Sequence, residues 1–157
     1  MKKAIYPGSF DPITNGHIEI LKRGLKVFDE VVILIAVNSN KNSHFTLEER
    51  KEMIKEAIKD IKGASVDIYE GLSVDYAKKV GATHMIRGLR AVSDFEYEFQ
   101  LSAANEFIDP SIDVVFFMAH SETNFISSSA INEMFNNNVD ISNLVPESVR
   151  KMYQKHK

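Results

Sequence analysis

The residues best placed to do chemistry fall in four short polar groups. Pro7-Gly8-Ser9-Phe10-Asp11-Pro12 runs into Thr14-Asn15-Gly16-His17, and Lys41, Arg87-Gly88-Leu89-Arg90 and Ser127-Ser128-Ser129 follow at long intervals. Each group supplies phosphate-binding chemistry: hydroxyls, an imidazole, an ammonium or guanidinium forks. Gly16 leaves backbone space, and His17 falls in the first turn of a helix, whose free N–H groups and dipole favour an anion. No G-x-G-x-x-G follows the first apolar run, and no G-x-x-x-x-G-K-[ST] occurs, so NAD enzymes and P-loop ATPases are excluded. G-x-S-x-G is missing too, which removes a serine hydrolase. The five histidines show neither i, i+4 nor Cys-paired spacing, so no dedicated metal site is expected.

The elements that must position these groups are legible in the hydrophobic pattern. Residues 4–6 read as a strand, and Ile13, Ile18, Leu21, Leu25 and Phe28 as a helix capped by Thr14 or Asn15. The unbroken β-branched run 31–37 has the apolarity of a parallel strand buried on both faces. Thr46-Leu47-Glu48-Glu49 is a capping box opening a second helix that ends near Gly63. Strands are expected at 66–69, 83–86 and 112–118, with a short helix at 74–80 closed by Gly81 and a longer one at 94–107. The serine run starts another helix, and Pro146 fits the first position of the last. The alternation predicts one doubly wound, Rossmann-like α/β domain over residues 1–157, with a five-stranded, mainly parallel sheet flanked by helices. In such a sheet ligands bind beyond the carboxyl ends of the strands, where the strand order reverses, which is where the polar groups fall.

Composition narrows the class. The 157 residues are 44% hydrophobic and 26% charged, the make-up of an ordinary soluble domain with a sizeable core. Lys plus Arg (19) against Asp plus Glu (22) gives a net charge of -3, which makes no global case for nucleic acid or an anionic membrane as partner. There is no Cys, so disulfides, thiolate metal sites and Cys nucleophiles are excluded, and a cytoplasmic protein is expected. The longest apolar run is far short of the roughly 20 residues that span a bilayer, and Pro7, Gly8 and Asp11 interrupt any signal-peptide core.

Taken together, the first loop, the T-x-G-H tetrapeptide, Ile86-Arg87-Gly88-Leu89-Arg90 and Ile126-Ser127-Ser128-Ser129 closely resemble the bacterial phosphopantetheine adenylyltransferase family of nucleotidyltransferases. Phe45-Thr46-Leu47-Glu48-Glu49-Arg50 and Asp94-Phe95-Glu96-Tyr97-Glu98 extend the likeness over the whole chain. The resemblance implies transfer of the adenylyl group of ATP to 4'-phosphopantetheine, giving dephospho-coenzyme A and pyrophosphate, with magnesium arriving on ATP. The nucleophile would be a phosphate already ionised near neutral pH, so the enzyme needs alignment and charge stabilisation rather than a general base or a covalent intermediate.

On the family's pattern, His17, Ser9, Lys41 and Arg90 would be catalytic, with His17 stabilising charge at the α-phosphate and Ser9 orienting phosphate. Lys41 and Arg87 would hold the acceptor phosphate, with Ser9 beside them and Ser73 on the pantetheine arm. Arg90, Ser128 and Ser129 would hold the β- and γ-phosphates, and Phe10, Gly88, Leu89, Glu98, Thr123, Asn124, Phe125, Ile126 and Ser127 would complete the ATP site. Ser73 and Asn124 stand where family members differ, so their carry-over is the weakest. The helix at 94–107 is apolar on two sides, Phe95, Phe99 and Ala103 on one and Tyr97, Leu101 and Ala104 on the other. One small sheet covers only one side, so the other meets a second subunit or the chain's own C-terminal helix. The first reading agrees with the family's homohexamers. Two rival functions remain open: a related nucleotidyltransferase with another phosphate acceptor, and a non-catalytic nucleotide sensor.

Overall fold

The computed structural model describes residues 1–37, 42–120, 123 and 125–157. Its elements alternate as β1 (Lys3–Gly8), α1 (Asn15–Gly24), β2 (Glu30–Ala36), α2 (Leu47–Ala57), β3 (Ala64–Tyr69) and α3 (Ser73–Lys79), then β4 (His84–Leu89), α4 (Val92–Ile108), β5 (Asp113–Met118), α5 (Ser128–Asn136) and α6 (Glu147–Lys155). The strands form one sheet in the order β3-β2-β1-β4-β5, and every pairing is parallel rather than only most of them.

Strand alternation divides the core between the two faces of the sheet. Ala4, Tyr6, Val31, Ile33 and Ile35 turn to one face and pack with α1, α2, α5 and α6 residues such as Leu21, Ile54, Ile131 and Tyr153. Ile5, Val32, Leu34 and Met85 turn to the other and meet Val74, Tyr76 and Ala77 of α3. This two-sided burial is why β2 lacks an alternating polar pattern. Capping agrees with expectation at three places: Thr14 caps α1, Thr46 and Glu49 form a full capping box on α2, and Gly81 follows α3 at φ 76°.

Two local expectations need correction, and one of two alternative readings of the long fourth helix falls away. Arg87, Gly88 and Leu89 are not a loop but the last three residues of β4, paired with Phe116, Phe117 and Met118 of β5, so only Arg90 lies beyond the strand. Pro146 is the N-cap of α6, one residue before the first helical position. The C-terminal helix packs on α2 rather than over α4, so it covers neither apolar side of that helix. Phe99 and Phe107 on α4 are 61% and 90% exposed. Among the described residues no helix is long and apolar enough to cross a membrane.

Candidate active site

The chain runs β1, β2, β3 to one side and returns to the other side of β1 with β4, so the strand order reverses between β1 and β4. A cavity of about 260 Å³ opens there, at the carboxyl ends of those strands. Its wall brings together the end of β1, the first turn of α1, the end of β4, the inner face of α4 and the start of α5. The polar groups at residues 9, 17, 87, 90, 127 and 128, scattered over 120 residues of sequence, therefore share one pocket.

His17 occupies the N3 position of α1 and replaces the usual glutamate of a capping box. The Thr14 hydroxyl accepts from the His17 backbone N–H at 3.3 Å, and the Thr14 backbone N–H donates to Nδ1 at 3.0 Å. A ring nitrogen that accepts carries no proton, so the neutral imidazole holds its proton on Nε2, the nitrogen left to meet a ligand. Burial, reinforced by the charges of Arg90 and Arg87, pushes the His17 pKa down to about 4. Near neutral pH His17 is therefore a neutral, oriented N–H donor. Phe10 wedges its ring against the imidazole at 4.9 Å and against Tyr6 at 5.2 Å. Its φ of 46° is a left-handed conformation costing on the order of 1–3 kcal/mol in a non-glycine residue. Phe10 is buried in this turn and is part of the cavity wall.

The smallness of Gly16 is not demanded by its protein neighbours. A methyl group there would meet Thr14 Oγ1 at 3.4 Å and Thr123 O at 3.8 Å, ordinary contacts, so the space it leaves belongs to the cavity.

The arginines are already engaged. Arg87 donates from Nε and Nη2 to the two carboxylate oxygens of Glu98, at 2.8 and 2.6 Å, and from Nη1 to Pro7 O. Burial opposes its charge most strongly, but the bonds to Glu98 outweigh burial and raise its pKa. The Arg90 backbone N–H donates to Asp94 at 3.1 Å, while its Nε pairs with the same carboxylate at 3.4 Å. At the start of α5, Ser127 is the N-cap and accepts from Ala130 N–H. The Ser128 hydroxyl donates to Pro12 O at 2.7 Å, so its oxygen can accept but its proton is committed. The loop before α5 is tied to α1 by Thr123, whose hydroxyl donates to Glu19 at 3.0 Å.

This pocket, a nucleotide-sized crevice beside a helix N-terminus with two arginines in its wall, is matched by the comparisons with known proteins. The sequence model of the cytidylyltransferase-like family matches residues 5–134. The phosphopantetheine adenylyltransferase of Syntrophus aciditrophicus (strain SB) is 52% identical, over 99% of this chain and 96% of the relative. Those of Dictyoglomus turgidum and Geotalea daltonii are 48% and 50% identical, over 100% and 96% of this chain and 99% and 94% of theirs. The chain belongs to the phosphopantetheine adenylyltransferase family. Within that family frame, Ser9, Phe10, His17, Arg87, Gly88, Arg90, Glu98, Thr123, Ile126, Ser127 and Ser128 all line the pocket. Ser129 lines an adjoining cleft with Ser9, Asn42 and Asn132, while Leu89, Phe125 and Ser73 stand outside both. Lys41 and Asn124 lie outside the described residues.

Sequence reasoning about this family's site missed Tyr6, Ile20, Asp94 and Arg50. Tyr6 and Ile20 line the pocket as core residues whose burial pattern carries no chemical signal. Asp94 was detectable as the residue four places after Arg90. Arg50 is buried in α2 and donates to Ser9 O at 2.9 Å and the Ser43 hydroxyl at 3.3 Å, bracing the loop after β1 against the loop after β2. Asp11 strengthens the same junction by accepting from the His44 and Phe45 backbone N–H groups at 2.7 and 2.8 Å.

Proposed function

We propose that this chain, acting as a single nucleotidyltransferase domain over residues 1–157, transfers the adenylyl group of ATP to 4'-phosphopantetheine, releasing pyrophosphate and forming dephospho-coenzyme A. The observation that carries the reading is the pocket's oriented, neutral His17 beside two arginines, in a chain about half identical to named members of that family over nearly its full length. The acceptor phosphate, held by Arg87, Lys41 and Ser9, attacks the α-phosphorus in line with the departing pyrophosphate. His17 donates from Nε2 to the oxygen on which charge builds, and its bond strengthens as the transition state forms. Arg90 and the backbone N–H groups at the start of α5 hold the β- and γ-phosphates, with Ser129 beside them and Ser128 as an acceptor. Phe10, Gly88, Leu89 and the segment Thr123, Asn124, Phe125, Ile126 and Ser127 make up the rest of the ATP site, Glu98 serves it from α4 through the Arg87 guanidinium that both its oxygens hold, and Ser73 contacts the pantetheine arm.

Magnesium belongs to this proposal as the counter-ion of ATP. Among the described residues no three His, Cys, Asp or Glu side chains gather into a metal site, and the two pocket carboxylates, Asp94 and Glu98, are paired with arginines. Magnesium would arrive on the ATP phosphates and offset their charge. The proposal extends to a cytoplasmic enzyme assembled as a homohexamer, a state supported by the exposed aromatic side chains of α4.

Incubating the protein with magnesium and ATP plus either 4'-phosphopantetheine or nicotinate mononucleotide tests the acceptor. Pyrophosphate and the mass of dephospho-coenzyme A should appear only in the first tube. Product only in the second rejects the acceptor, and binding of ATP without product in either favours the sensor.

A further inference from the structure

The inner face of α4 is polar. Among its described side chains only Glu98 is buried, and Asp94 lies one helical turn before it on the same face. The remaining internal hold of this face includes Asn105, which donates to the Met85 sulfur at 3.7 Å. Glu98 takes Arg87 as a bidentate partner, and Asp94 takes Arg90 through both its backbone N–H and its Nε. Two carboxylates spaced i, i+4 on one helix thus meet two arginines spaced i, i+3 at the end of β4. Arg87 has five N–H groups, of which three are used by Glu98 and Pro7, leaving one on each terminal nitrogen for a phosphate.

The geometry points to Asp94 and Glu98 as positioning residues that present the two phosphate-binding arginines, Glu98 aiming Arg87 at the acceptor phosphate and Asp94 aiming Arg90 at the ATP phosphates. This deepens the proposed function and rests on it. A free arginine loses rotamer entropy when it grips a ligand, and an arginine already held by a carboxylate has lost it beforehand. Glu98 then acts on the phosphates through Arg87, since both its oxygens accept from that guanidinium and its own negative charge repels a phosphate.

The test is steady-state kinetics on E98Q, E98D and D94N, varying ATP and 4'-phosphopantetheine separately, with a thermal melt of each variant. E98Q should raise KM for 4'-phosphopantetheine about tenfold and leave KM for ATP within about twofold, the loss expected when a bidentate ionic partner is weakened. D94N should do the reverse and more weakly, about threefold on ATP, because its pair is longer and more exposed. E98D keeps the charge and should recover part of the acceptor affinity. Equal rises in both KM values for each variant, unchanged KM values, or no difference between E98D and E98Q would overturn the inference. D94N, altering a partly exposed pair, carries the test if the Glu98 variants do not fold. A wild-type chain that makes no dephospho-coenzyme A would reject the underlying reading, an outcome visible before any variant is compared.

Discussion

Helices α1 and α4 both follow strands that border the central crevice, and both bring side chains to the same pocket, yet they are held in opposite ways. α1 is sealed by a reciprocal cap between Thr14 and His17, and it buries Ile20 and Leu21 in the main core. α4 has no side-chain cap at Ala91, holds β4 through Glu98 and Asn105 and the residue after it through Asp94, and turns its aromatic residues outward. On the proposed function, the group that acts at the transition state, His17, thus sits on an element fixed by packing. The groups that recognise the phosphates are tethered to an element whose remaining surface is unfilled within one chain. On the proposed function, chemistry and recognition divide between a wall packed into the core and one whose outer aromatic face is exposed in the single chain.

The largest break in this comparison should come from the α1 wall. Replacing His17 with Ala removes a donor whose bond strengthens only in the transition state, so kcat should fall about 10²–10³-fold while ATP affinity stays within about threefold. Stopped-turnover kinetics alongside ATP titration reads both, and equal losses in the two would contradict the role. The same variant should also change how stability depends on pH. Unfolded His17 takes up a proton below pH 6.5, whereas folded His17 stays neutral down to about 4. As pH falls through that window the unfolded chain therefore binds more protons, and the native state loses up to roughly 3 kcal/mol that it keeps in full above pH 6.5. Denaturant melts at pH 7 and pH 4.5 should show that loss in the wild type and a shallower one in His17→Ala. The α4 wall should respond differently. On the proposed hexamer, Phe99→Glu on its exposed face should shift sedimentation toward smaller species. A wild-type chain sedimenting as a stable monomer at micromolar concentration would contradict the assembly.

Much of this division is legible in the sequence because it is local. A glycine and a histidine in the first turn of a helix, a serine run before another, and the β-branched strands each carry their signal within a few residues. The end of β4 did not, because Gly88 weakens a strand pattern and only the register against Phe117 and Met118 of β5 keeps it extended. The Arg87–Glu98 and Arg50–Ser9 contacts were illegible for a related reason. Both depend on how a helix is set against a strand or loop 11 and 41 residues away, and side-chain type alone says nothing of that setting. Sequence also showed α4 as apolar on two sides without showing that the face it lays on its own sheet is the polar one.

On the proposed function the reaction is a single in-line displacement at the α-phosphorus, catalysed by alignment and by a neutral His17 donor with no adenylyl-enzyme intermediate. Its most direct test is the stereochemical course, with ATP made chiral by sulfur at the α-phosphorus as donor, magnesium, and 4'-phosphopantetheine as acceptor. One displacement inverts the configuration at phosphorus, and inversion in the dephospho-coenzyme A analogue is the predicted result. Retention would require two successive displacements, hence a covalent intermediate on the protein, and would contradict the account.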